Sequence, residues 1–271
     1  VRYGEHKMKK EFGGRIWEPC EDAVLLTDTE RNYFRSTVGG LMWVSTDRFD
    51  IQVAVRELAS RMSEPRSVDL ERAKQLVRYL SMPTTCEIGR THVDKDARLG
   101  DIVIHADASW GTGSRKSISG LVVMLGVQDY APGEMNLMVI GGISKKQSLE
   151  ALSSMEAELY SLCLGAVVGM GLVNEYKSCA DGVQWGNRVI LRTDSTAVLG
   201  MIRRKGASMR TKHLDMRLRF VRRLLSPQGP LLLGKALGAE CIADQLTKVN
   251  HAVRKTEALG IRRGLENESG G

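Results

Sequence analysis

DIVIHADASW, residues 101–110, is an apolar run that climbs to an aspartate between two alanines. The alternation and the β-branched residues predict a core strand. A bare carboxylate is costly to bury and normally shifts its pKa or finds a partner. Asp107 therefore either escapes to water at a strand end or meets something cationic.

Working outward, SISGLVVMLG (117–126) is a second apolar run, separated from the first by GTGSRK, which predicts a hairpin. NLMVIGGIS (136–144) predicts a third strand, and 153–179 a long helix. RVILRTD (188–194) predicts a fourth strand, followed by helices over 195–205 and 211–225. The second of these carries Leu214, Leu218, Val221 and Leu225 on one face. GPLLLGKAL (229–237) predicts a fifth strand, and 242–259 a closing helix. Three strands, helix, strand, helices, strand, helix is the pattern of an α/β domain with a mixed sheet, antiparallel first and parallel later.

Upstream, residues 30–82 have helical period. IQVAVRELASRM (51–62) and SVDLERAKQLVRYL (67–80) place apolar residues at three- and four-residue spacing, with Ser67 positioned to cap the second. The charged segment 92–101 reads as an inter-domain joint.

The chain of 271 residues is 42% hydrophobic and 26% charged, a composition for one or two globular domains. Its longest apolar stretch, LCLGAVVGMGLV (162–173), is a dozen residues broken by glycines, so no membrane span is expected. Five cysteines (20, 86, 163, 179 and 241) form no CxxC pair, which argues against a zinc knuckle or disulfide framework and for a reducing compartment. With no signal peptide opening it, an intracellular location (a cytoplasmic particle or the nucleus) is expected rather than secretion. A start without Met suggests a piece of a longer polypeptide.

The net charge of +7 is local. Residues 203–223 hold nine Lys or Arg against the single acid Asp215, which is either a solvated helix face or a phosphate-contacting surface. GTGSRKS (111–117) is not a nucleotide loop: Lys116 and Arg115 stand where glycines are needed, and a strand follows. His213 and Asp215 have backbone-contact or structural roles rather than metal ligation.

Acids complete the pattern. RVILRTD delivers Asp194 at a second strand end, beside Asp107. In the long helix Ser153 and Glu156 have capping-box spacing, which makes Glu156 structural and leaves Glu158 for the site. Asp244 opens the last helix in AECIADQLTK. Four converging acids repel one another unless divalent cations resolve the charge, and a cation pair can clamp both oxygens of a phosphoryl displacement.

HADASW, SRKSISG, ISKKQSLEALSSMEAELYS, LRTDSTAVL, RTKHLDMRLRFVR and IADQLTK, in this order, resemble the ribonuclease H domain of copia-type retrotransposon Pol polyproteins. YFRSTVGGLMWVSTDRFDIQVAVRELASRMSEP (33–65) and ERAKQLVRYL (71–80) resemble the segment joining that family's reverse transcriptase to its ribonuclease H. Residues 1–29, polar with little periodicity, read as a leader or linker, and 260–271 as a flexible tail; the resemblance implies a helical connection segment over 30–98 and a ribonuclease H-like domain over 101–259. It also implies a five-stranded mixed sheet flanked by helices, and metal-dependent cleavage of the RNA strand of RNA–DNA hybrids during reverse transcription.

In that family's scheme Asp107 would bridge two Mg²⁺ ions, or Mn²⁺. Glu158 and Asp194 would complete the leaving-group ion, and Asp244 would hold the ion that activates water. Arg115, Lys116, Ser153, Ser154, Arg210, Lys212, Arg219, Arg222 and Arg223 would contact the hybrid through its backbone and 2′-hydroxyls. The implied partners are the hybrid and the upstream reverse transcriptase domain, with no membrane and no small-molecule cofactor. No adjacent Asp-Asp occurs, so polymerase activity is not expected. The rival reading is an inactive remnant that only binds nucleic acid.

Three departures bear on that choice. Ser195 stands where the family usually has Asn, and VIGGI (139–143) replaces an aromatic-containing segment. Gly165, Gly169 and Gly171 interrupt the long helix, each expected to cost about 0.5–1 kcal/mol relative to Ala.

Overall fold

A computed structural model describes residues 23–81, 98–111, 116–128, 135–179, 188–204, 214–225, 229–236 and 241–247. They fall into two units, one holding 23–81 and the other 98–247.

In the first unit, helix α1 (Asp28–Val44) begins with a reciprocal cap. The Glu30 carboxylate accepts from the Thr27 amide at 3.0 Å, and the Thr27 hydroxyl oxygen accepts from the Glu30 amide at 3.4 Å. The first unit therefore starts earlier than a leader over 1–29 allows: Leu26 is buried and Leu25 bridges Arg66. Helices α2 (Gln52–Ala59) and α3 (Ser67–Leu80) close a core of Phe34, Val38, Leu41, Ile51, Leu58, Ala73 and Leu76. Ser67 does not cap α3. It is the first helical residue, and the Asp69 carboxylate instead accepts from the Arg66 amide at 3.0 Å.

The second unit is built on five strands: β1 (Arg98–Ser109), β2 (Ile118–Gln128), β3 (Met135–Lys146), β4 (Val189–Thr193) and β5 (Leu231–Lys235). Their order is β3-β2-β1-β4-β5. β1, β2 and β3 pair antiparallel; β4 runs parallel to β1, and β5 parallel to β4. Alternation along β1 sends Ile102, Ile104 and Ala106 to one face and Val103, His105 and Asp107 to the other. The first set joins Leu121, Val123, Val189 and Leu191 under helix α4 (Ser154–Cys179), whose Leu159, Leu162, Ala166 and Val173 are buried against them. Helices α5 (Thr196–Arg203) and α6 (Asp215–Leu224) complete that layer through Val198, Ile202, Leu218 and Val221. The second face of β1 meets a 3-10 turn, Ile242–Leu246, where the sequence predicts the start of a helix over 242–259; 248–259 lie outside the described residues.

By length and composition Ser154–Ser178 is long and apolar enough to cross a bilayer, which the glycine-broken dozen did not suggest. Here it is the cover of the sheet, and its glycines explain how. A Cβ on Gly169 would lie 2.5 Å from Val189 Cγ1, and one on Gly165 3.1 Å from Leu191 Cδ2. Both are points of close helix–sheet approach, so the expectation that they are mere propensity losses is corrected. Of these three helix glycines, only Gly171 faces open space. In VIGGI the β2–β3 register shifts opposite Val123 and Met124, so Ile140 is an extra, exposed residue in a bulge.

Candidate metal centre

Three elements meet at the end of β1. Asp107 lies opposite Gly120 of β2, and Asp194 follows the last residue of β4, the strand parallel to β1. Glu158 comes from the first turns of α4. One carboxylate oxygen from each of Asp107, Glu158 and Asp194 falls within 4.8 Å of the other two, with Asp107 buried and the others half-buried. Three hard oxygen donors at this spacing suit a divalent cation that keeps part of its water shell. That donor set fits the metal the sequence pattern implies.

The sheet unit has the ribonuclease H-like fold. Strand order and direction decide it, with the acids at the ends of two adjacent parallel strands.

No family model matches the chain. An uncharacterised mitochondrial protein of Arabidopsis thaliana, AtMg00810, is 29% identical over 135 residues, covering 49% of this chain and 50% of the relative; the chain thus spans about half of that relative's length. Among solved structures, the chain is similar to the N-terminal RNase H domain of Rv2228c from Mycobacterium tuberculosis. That match is 16% identical, covers 58% of this chain and 99% of the other, and has a TM-score of 0.35. LC11-RNase H1 in complex with RNA/DNA hybrid is 14% identical, over 54% and 93% of the two chains, with a TM-score of 0.34. RNase H1 from Halobacterium salinarum is 14% identical, over 59% and 94%, also at 0.34.

Within the ribonuclease H-like domain, hydrogen bonds fix the start of α4. The Ser153 hydroxyl oxygen accepts from the Glu156 amide at 3.2 Å. The Glu156 carboxylate accepts from the Leu152 amide at 2.8 Å and from the Tyr160 hydroxyl, which turns Glu156 away from the acid cluster. Gln147 Nε2 donates to Ser119 Oγ and to the Ala157 carbonyl, both at 2.9 Å. Ser161 donates to the Asp107 carbonyl at 2.7 Å, tying the helix to the strand beside the site. Together these bonds set the depth and rotation at which Glu158 is presented.

The fourth predicted acid, Asp244, lies outside the three-carboxylate group. It sits on the turn that covers Asp107, and Thr247 at the end of that turn donates to Asp107 Oδ2 at 2.7 Å. Cys241, at the other end, is fully buried; burial first, then the Asp107 and Asp194 carboxylates, push its thiol up to about 12. Ser195 caps α5 by accepting from the Val198 amide at 3.5 Å, which accounts for its presence after Asp194.

Of the residues expected to hold nucleic acid, Arg115, Arg210 and Lys212 lie outside the described residues. Lys116 is exposed and its ammonium donates to the Ser148 carbonyl at 3.1 Å. Ser153 and Ser154 open α4 on the rim of the site, where Trp110 donates to the Ala151 carbonyl at 2.9 Å. Arg219 pairs with Asp215 at 2.7 Å, and Arg223 is exposed.

Arg222 is different. Its guanidinium donates to the carbonyls of Met201, Ile202 and Arg204 at 2.6–3.0 Å, closing the C-terminal end of α5. Arg222→Ala is therefore expected to lower stability by about 1 kcal/mol. A urea titration measures the loss.

Sequence reading missed a basic cleft of about 180 Å³ lined by Lys145, Lys146, Gln147, Tyr160 and Arg217. Arg217 stacks over the Tyr160 ring at 4.1 Å. The paired lysines of ISKKQS, at the end of an apolar strand, were the available signal; Arg217 was hidden in the basic run. Nearby Cys163 has its thiol pushed up to about 11 by burial, against the pull of Arg217. The fold thus favours the neutral thiol. Its contribution to stability is whole below the ordinary value of 9.0 and is lost as pH rises through about 11. Denaturant titrations across that window should show a decline that is smaller in Cys163→Ala.

Proposed function

We propose that the chain is part of a copia-type retrotransposon Pol polyprotein. Its ribonuclease H-like domain cuts the RNA strand of RNA–DNA hybrids with two Mg²⁺ ions, and the helical unit is the connection to an upstream reverse transcriptase. The observation that carries this reading is the meeting of Asp107, Glu158 and Asp194, from three separate elements, within 4.8 Å.

Divalent cations there supply charge neutralisation at the phosphoryl group. The chain does the rest. Asp107, Glu158 and Asp194 would hold the cations, with Asp244 approaching from the covering turn. Ser161 and Gln147 keep α4 from drifting, so the carboxylate spacing is set before substrate arrives. The rim at 148–154 offers hydroxyls, backbone and the exposed Leu149 and Leu152 to a shallow minor groove, where hybrids are recognised by shape and 2′-hydroxyls. Lys145, Lys146, Arg217 and Arg223 add phosphate attraction that weakens with salt.

Incubating the purified chain with end-labelled RNA–DNA hybrid tests this. Cutting of the RNA strand that requires Mg²⁺ and stops with chelator is the expected result. Salt-sensitive binding without cutting would instead favour a remnant that only binds, and failure to bind at low salt would remove both.

A further inference from the structure

Thr247 ends the turn that carries Asp244, and the residue is 2% exposed. Its hydroxyl donates to Asp107 Oδ2 at 2.7 Å across 140 residues of sequence, and its amide donates to the Asp244 carbonyl at 3.3 Å. The same hydroxyl lies 3.0 Å from that carbonyl oxygen. Ser144 holds the turn from the opposite side by donating to the Leu246 carbonyl at 2.5 Å.

The approach depends on Gly120, the residue paired with Asp107. A Cβ there would lie 2.6 Å from the Ala243 carbonyl oxygen and 2.7 Å from Thr247 Cγ2. So a missing side chain on β2 admits the turn, a serine on β3 anchors it, and a threonine joins it to the central aspartate.

We propose that Thr247 is a positioning residue for the metal centre. By holding one oxygen of the Asp107 carboxylate it fixes the carboxylate plane toward Glu158 and Asp194, and couples that plane to the turn bearing Asp244. A group that orients a metal-binding carboxylate typically changes metal affinity about 10–100-fold when lost. This role rests on the proposed metal-dependent function, and it predicts an effect on binding of the ion itself, before any substrate is present.

The test is Mn²⁺ affinity, read from the electron paramagnetic resonance signal of free Mn²⁺, in chains whose folding is verified by circular dichroism. Thr247→Val keeps the shape and removes the donor, and should weaken affinity at least about tenfold. Thr247→Ser keeps the donor and should stay within about threefold of the parent. Gly120→Ala keeps the hydroxyl but pushes the turn away, and should weaken affinity in the same direction as Thr247→Val.

Parental affinity in a folded Thr247→Val or Gly120→Ala chain would overturn the role of Thr247 while leaving the metal centre intact. Equal losses in the Val and Ser variants would overturn it too, because they would point to packing rather than the donated proton. A parent chain that binds no Mn²⁺ would remove the metal-dependent reading, and the role of Thr247 with it.

Discussion

Replacing Asp107 with Asn is expected to lower Mg²⁺-dependent cleavage of an RNA–DNA hybrid by roughly 10³-fold or more, while making the cation-free protein more stable. The two effects share one cause. Asp107, Glu158 and Asp194 present carboxylate oxygens within 4.8 Å of one another, with Asp107 only 6% exposed. Like charges at that separation, in a partly buried setting, cost on the order of a few kcal/mol per pair. Bound cations convert the cost into affinity. Without them, one neutral amide should raise stability by about 1–2 kcal/mol after solvent screening is allowed for.

Losing a central ligand removes several kcal/mol of transition-state stabilisation, at about 1.4 kcal/mol per factor of ten. Gel assays of cleavage and thermal melts, each with and without Mg²⁺, read both effects. Mg²⁺ should raise the melting temperature of the parent and hardly move that of Asp107→Asn. A variant that cuts at the parental rate would sink the assignment.

The second large effect is on folding. Gly169→Ala is expected to destabilise the domain by about 2 kcal/mol, although alanine is the better helix former by about 1 kcal/mol. The added Cβ would sit 2.5 Å from Val189 Cγ1 and 3.0 Å from Ile104 Cδ1. Val189 is a stiff, β-branched residue on an interior strand, so it cannot turn aside as a lysine tip could. The helix must lift from the sheet, disturbing the element that presents Glu158.

Gly171→Ala, two residues on, meets open space and should stabilise by about 0.5–1 kcal/mol. Opposite signs for one chemical change in one helix would separate packing from propensity. Urea titrations of both variants measure this. A stabilised Gly169→Ala would mean that the helix sits further from β4 than the structure places it.

Much of the architecture was legible in local pattern. The apolar runs at 101–107, 117–126 and 188–194 and the helical period of 153–179 need only alternation and turn chemistry, and each emerged within a few residues of its observed bounds. Choosing Glu158 over Glu156 was also local, because the S-x-x-E spacing occupies the earlier glutamate with backbone amides. The bonds of Arg222 were not: its partners, the carbonyls at the end of α5, lie about twenty residues back in sequence and become neighbours only when two helices pack. The helix glycines misled in the same way, since their value lies in a sheet that the helical sequence does not contain.

Taken alone, the sequence determined the kinds of elements, their order and the acids available, because these follow from periodicity, capping and side-chain chemistry within a few residues. The tertiary structure decided which acids share a cation-sized space, which glycines are close approaches, and that Thr247 reaches Asp107. Those contacts join residues separated by tens to more than a hundred positions, and their distances are set by how a helix and a turn pack on the two faces of one sheet.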